Sequence, residues 1–445
     1  MSYVRRELPD LIRDAARPLS GTPADYDSLL EAIGDAHFVL IGEASHGTHD
    51  FYRHRAEITK RLIREKGFHA VAAEADWPDA HRVNGYVRGR TADRSPQEAL
   101  SGFCRFPAWM WRNDVVAEFT GWLRAFNEAA NGHQAGFYGI DLYSLNRSRT
   151  EVVRYLERVD PAAAKRARER YACFDHFGGD EQSYGYAAGF GVSESCEQEV
   201  VQQLIDLQRR TYEYLHHDGQ VAEDDFFSAE QNARLIRNAE EYYRSMFRGQ
   251  VNTWNLRDRH MAETLHALAA HLDRSFGGSK IVIWAHNSHL GDARATGMGK
   301  RGEWNLGQLV RERYPNDSFS LGFTTYTGTV TAAHDWADDP KTMRVRQALP
   351  DSYEALFHAT NMPAFLLVFA PGQPVSAGLR SEKLERAIGV IYRPETERVS
   401  HYFSAKLPDQ FDAVIHIDKT SALQPLERHA EAPLEEVPET FPSAI

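Results

Sequence analysis

Cysteine is scarce in this chain: Cys104, Cys173 and Cys196 are the only three in 445 residues, and none falls in a CxxC pair. That spacing predicts neither a disulfide framework nor a zinc-finger site and suits a reducing compartment. Long apolar runs are missing too, so no membrane span is expected. The N-terminal stretch MSYVRRELPDLIRDAARPL lacks the apolar centre of a secretory signal. Positive charge is short, with 51 basic against 63 acidic residues and a net charge of −12. The basic residues are scattered, which argues against nucleic acid or an anionic membrane as main partner. A soluble, cytoplasmic protein is the expectation. Several reaction signatures are absent as well. There is no G-x-S-x-G elbow, no G-x-x-x-x-G-K-[ST] phosphate loop and no H-E-x-x-H zinc helix. Gly297-Met-Gly-Lys-Arg-Gly302 matches G-x-G-x-x-G but lies about a dozen residues beyond its strand, where a dinucleotide turn cannot be. It reads as a mobile, basic loop bordering the site.

What is present is a globular composition, 42% hydrophobic and 26% charged, with enough length for a large core. The apolar run His37–Ile41 reads as a buried strand broken by Gly42. An amphipathic helix over about 50–66 follows, closed by Gly67, and then a second buried strand over 68–74. Strand, helix and strand make a βαβ unit, so the two strands are expected to be parallel neighbours. Further strands are expected at 135–141, 280–285, 319–326, 364–369 and 411–417. Trp111, Phe119, Trp122 and Phe126 mark an apolar stripe on a helix over about 112–130. Residues 146–275 are helical in pattern, interrupted by a glycine- and aromatic-rich loop at 177–191, and the last 20 residues read as a solvated tail. The fold class is α/β: a central, mostly parallel sheet flanked by helices, in one domain over 1–445. A helical lobe occupies about 146–275, and the tail begins at about 426.

Polar clusters stand at three strand ends: Glu43, His46 and His49 after the first, Glu74 and Asp76 at the second, His286 and His289 after the strand at 280–285. Ends of parallel strands converge on one crevice. Glu43/His46 and His286/His289 are each three apart, so a helical turn would point both members the same way. A histidine held by a carboxylate keeps one nitrogen as a base near neutral pH. Two histidines and two glutamates in one cleft can activate water or bind a divalent metal, and spacing does not separate these. Singly, each histidine is more often structural.

Gly42-Glu-Ala-Ser-His-Gly47, the strand-end Glu74, Arg257-Asp-Arg-His-Met261 and Ala285-His-Asn-Ser-His289 together resemble the erythromycin esterase family. So do Tyr402-Phe403 and the segment Gln410 to Asp418, and the resemblance runs from about residue 30 to 425. It implies hydrolysis of a carboxylic ester or macrolactone, such as a macrolide, by activated water, with no covalent intermediate and no obligatory metal. It makes His46 the general base, Glu74 and Glu43 its acidic partners, His286 and His289 the paired histidines, Arg55 a site arginine and Arg257 a substrate-binding one. The plainer alternative for Arg55 and Arg257 is an ion pair with Glu43 or Glu74. Trp77, beside Glu74, and Trp109, in FCRFPAWMW, are expected to wall a cleft for a small-molecule substrate. Two other readings stay open: a His/Glu metal-dependent hydrolase, and a non-catalytic protein that sequesters a metal, haem-like or hydrophobic ligand.

Overall fold

Residues Val39–Ile41 and Ile281–Ile283 offer no polar side chain to turn toward water, so their strands settle where both faces are covered, and all six are 0% exposed. The structure, a computed structural model, describes residues 7–130, 134–177, 180–215, 220–247 and 253–427. Most of the expected tail, 428–445, lies outside the described residues. The strands are β1 (Arg17–Pro18), β2 (Phe38–Ile41), β3 (Ala70–Asp76), β4 (Gly136–Asp141), β5 (Ile281–Trp284), β6 (Ser318–Ala332), β7 (Lys341–Val345), β8 (Ala364–Val368), β9 (Lys383–Arg386), β10 (Tyr402–Ala405) and β11 (Ala413–Thr420). The fold is α/β. The chain divides into two compact units, one made of the residues up to Ala72, Tyr86–Gly136 and those from Ser279 on, the other of Ala73–Gly85 and Phe137–Gly278.

In the first unit the strand order is β1-β8-β11-β6-β2-β5, with β7 on β6. Its centre is parallel: β11 on β6, β6 on β2 and β2 on β5. Antiparallel strands extend it, β8 on β11, β1 on β8 and β7 on β6. β2 and β3 are not neighbours, contrary to the βαβ expectation, because β5 lies between them. Ile41 and Trp284 are register partners, which brings the ends of β2 and β5 side by side. Chain succession alone could not reveal that a strand some 240 residues later takes the inner place. The helix His49–Lys66 follows β2 and ends on Gly67 at φ 67°, a left-handed cap that glycine adopts without strain. Phe119, on the helix Asp114–Ala129, rests against Trp284 with ring centroids 4.8 Å apart, and Phe119–Trp122–Phe126 stack in succession.

The second unit is mainly helical: Leu145–Val159, Pro161–Tyr171, Glu181–Gly189, Glu197–Arg209, Gln220–Met246 and Thr253–Phe276. Two expectations fail here. Within the supposed loop at 177–191 stands the helix Glu181–Gly189, capped by Asp180, whose carboxylate accepts the N–H groups of Gln182 and Ser183. Gly185 serves close packing rather than a loop, since a Cβ there would lie 2.3 Å from the Tyr243 carbonyl oxygen. Cys173 and Cys196 form a disulfide, although their sequence spacing suggested none. They are 23 residues apart, and only the packing of the helices between them makes them neighbours. In the first unit, the expected mobile loop at 297–302 opens with a helical turn, Gly297–Lys300, capped by Thr296, and Lys300 and Arg301 are paired with Glu382 and Glu303. No described helix is long and apolar enough to cross a membrane.

Candidate active site

The loop after β2 is held almost entirely by its backbone. Gly42 N–H donates to Leu321 O, Ile388 N–H to Ala44 O, His46 N–H to Ile388 O, and Gly47 O accepts from both Thr331 and Leu423. Gly42 must lack a side chain: a Cβ would sit 2.2 Å from Asn287 Oδ1. So anchored, the loop buries Glu43 (1% exposed) beside His46 (5%). His46 Nδ1 lies 2.9 Å from Glu43 Oε1, and Arg55 Nη1 lies 3.2 Å from Glu43 Oε2. Arg55 is 0% exposed, and its guanidinium packs over the rings of Tyr52 at 4.4 Å and Trp284 at 4.8 Å. Aromatic faces offset part of the cost of burying this charge, and Glu43 supplies the opposite one.

A carboxylate only accepts, so the His46 proton sits on Nδ1 and the Nε2 lone pair is left for chemistry. The next strand provides the second histidine. His286 caps the short helix Asn287–Leu290, and its Nδ1 accepts the Ser288 N–H at 3.2 Å, with Ser288 Oγ at 2.8 Å. An Nδ1 that accepts a backbone N–H carries no proton, so the neutral ring bears it on Nε2 as a donor. The two rings are 4.9 Å apart between centroids and tilted by 50°. The pair therefore combines an acceptor and a donor. His289 is 1% exposed on the same turn. His49 begins the helix His49–Lys66, with Nδ1 3.9 Å from Asp114 Oδ2.

The second unit holds its own charged cluster. Arg257 Nη2 donates to Glu74 Oε1 at 2.6 Å, while Nε and Nη2 grip Asp141 at 2.9 and 2.7 Å. Arg257 thus takes up the ion-pair alternative, and two of its nitrogens are committed to protein carboxylates. Burial works against its proton, but Asp141, Tyr143 and Glu74 outweigh burial and raise the pKa well above its usual value. Asp141, the acid that ends β4, joins a cluster for which the sequence had proposed only Glu74 and Arg257; its strand-end position was the available signal. Trp77 is 2% exposed, donates to Ser228 Oγ at 3.1 Å and packs against Phe227 and Tyr138.

The erythromycin esterase family profile matches residues 63–420. The chain belongs to the erythromycin esterase family. It is thereby placed among hydrolases. The erythromycin esterase match takes in Glu74, Trp77, Trp109, Arg257, His286 and His289 and begins just after Glu43, His46 and Arg55. A Bacillus subtilis (strain 168) protein provisionally named as a hydrolase, YbfO, is 22% identical over 430 residues, 91% of this chain and 89% of its own. Erythromycin esterase type II of Escherichia coli is 22% identical over 345 residues, 72% of this chain and 76% of its own. Among solved structures, a succinoglycan biosynthesis protein superposes with a TM-score of 0.75 at 22% identity, covering 95% of this chain and 99% of that one. Trp109 is 4% exposed on the turn Ala108–Met110, and its Nε1 has no hydrogen-bond partner among the described residues. No group of three or more His, Cys, Asp or Glu that could hold a metal ion occurs among the described residues.

Proposed function

We propose that this family member hydrolyses a carboxylic ester or macrolactone by direct attack of water, with His46 as general base and His286 as the donor to the carbonyl oxygen. The observation that carries this reading is the contrast in partners of two adjacent imidazoles, Glu43 Oε1 at His46 Nδ1 and the Ser288 N–H at His286 Nδ1, from which opposite tautomers follow. His46 Nε2 takes a proton from water as the water oxygen bonds to the carbonyl carbon. The charge that develops on the carbonyl oxygen meets the His286 Nε2–H. Collapse of the tetrahedral intermediate breaks the ester C–O bond, and the His46 imidazolium returns its proton to the leaving alkoxide. The products are an acid and an alcohol, one water heavier in sum. Glu43 orients His46 and offsets its transient charge, and Arg55 pairs with Glu43 from the other side.

A macrolide such as erythromycin is the first substrate to try, because the E. coli relative is named for that activity. Purified protein treated exhaustively with EDTA is incubated with erythromycin and with a panel of simpler esters, and the products are weighed by mass spectrometry. A gain of one water, lost in His46→Ala, supports the mechanism. Loss of turnover in EDTA, restored by one divalent ion, would replace it with a metal-dependent hydrolase. Ligand capture without turnover across the panel would indicate a binding protein.

A further inference from the structure

One segment on the far side of the sequence touches both histidine-bearing loops. Ile388 bonds the loop of His46 in both directions, its N–H to Ala44 O at 2.9 Å and its carbonyl from His46 N–H at 3.3 Å. Three residues earlier, at the end of β9, Glu385 is 0% exposed. Its Oε1 accepts from Asn287 Nδ2 at 3.3 Å, and Asn287 stands between His286 and Ser288. The rest of the Asn287 side chain is spent on the backbone of β6: Nδ2 donates to Phe323 O at 2.8 Å, and Oδ1 accepts from Phe323 N–H at 3.3 Å. Its own N–H donates to Glu43 O at 2.8 Å. Asn287 thus ties β6, the Glu43 loop and Glu385 to the turn that orients His286.

A carboxyl in this place is costly unless its charge is suppressed. Glu385 Oε2 has no hydrogen-bond partner among the described residues, and neither has Oε2 of the buried Glu354 nearby. Burial, reinforced by Glu354, pushes the Glu385 carboxyl up to about 8, against the amides of Gln410 and Asn287. A leucine would fill the space without that cost, but it would take from Asn287 Nδ2 the acceptor that Glu385 Oε1 provides.

We infer that Glu385 is a positioning residue: a buried carboxyl group that fixes the His286 turn through Asn287, while Ile388 on the same segment fixes the loop of His46. The inference rests on the proposed roles of the two histidines, and its test is arranged so that the two can fail separately.

The full chain is compared with Glu385→Gln, which keeps a neutral acceptor, and with Glu385→Leu, which removes it. The readouts are histidine-ring nitrogen NMR and ester turnover. Glu385→Gln is expected to leave the His286 ring signals in place and kcat within about twofold of the parent. Glu385→Leu, shown folded by circular dichroism, is expected to shift those signals and lower kcat by roughly tenfold or more at nearly constant KM, as a displaced donor should. If the leucine variant does not fold, Glu385→Met carries the same comparison. A folded apolar variant with unchanged ring signals would overturn the inference, as would Glu385→Gln losing as much as Glu385→Leu. If the parent turns over no ester, the ring signals alone decide the role of Glu385, and only the hydrolase mechanism falls.

Discussion

Glu43→Gln separates the electrostatic and catalytic duties of one carboxylate. Glu43 is 1% exposed and lies between His46 Nδ1 at 2.9 Å and Arg55 Nη1 at 3.2 Å. Removing one partner of a buried ion pair costs about 3–5 kcal/mol, because a charge is left without its opposite. Arg55 keeps the faces of Tyr52 and Trp284, so the loss belongs toward the lower end of that range. For a unit of this size it lowers the melting temperature by roughly 5–10 °C and leaves the protein folded at room temperature. The catalytic effect follows from the amide having a single acceptor oxygen. Arg55 only donates, so that oxygen turns to the guanidinium and the NH2 faces His46 Nδ1. The imidazole proton then moves to Nε2, the nitrogen that must act as base. Turnover should fall by about 10²–10⁴-fold, the usual worth of a general base, with KM little changed. Raising the pH should not restore it, because pH does not change which tautomer the amide selects. Adding Arg55→Met should recover much of the melting temperature without recovering activity. The assays are thermal melting and ester kinetics from pH 6 to 9. A folded Glu43→Gln variant with kcat within about twofold of the parent would refute the tautomer argument, and an unchanged melting temperature would refute the ion-pair argument.

Acid sensitivity should begin below about pH 6.5. His54, His260 and His401 are buried, and burial first, with nearby arginines, depresses each to about 4. Between pH 6.5 and 4 the unfolded chain binds protons that the folded chain refuses. Stability present above 6.5 is therefore lost as pH falls, by up to about 1.4 kcal/mol per pH unit per histidine. Denaturant midpoints that stay level over this interval would contradict it. The Cys173–Cys196 link closes a loop of 23 residues, worth about 3 kcal/mol in chain entropy. Cys196→Ala, or a reductant, should lower the melting temperature, and equal melting with and without reductant would remove that contribution.

Residue types that carry chemistry were legible in the sequence, whereas the contacts that assign their roles were not. Buried strands announced themselves by apolar runs, and β2, β4, β5, β8 and β11 stand within a few residues of where such runs placed them. The short strands β1, β7, β9 and β10 did not, since their exposed or mixed residues have no such pattern. Register was hidden as well: nothing near β2 shows that β5 displaces β3 from its side. At the candidate site, Glu43, His46, Arg55, His286 and His289 could be read from motif and strand end, yet Asn287 and Glu385 could not, because one is a common amide and the other sits some 100 residues away. The deepest gap concerns the histidines themselves. Glu43/His46 and His286/His289 share a three-residue spacing that suggested the same local geometry for both. In the structure, His46 faces a carboxylate and His286 faces a backbone N–H, and a peptide group has no letter in a sequence. In the proposed mechanism that single difference in partner puts the proton on Nδ1 in one ring and Nε2 in the other, so that two residues of the same type serve as the acceptor and the donor of one reaction.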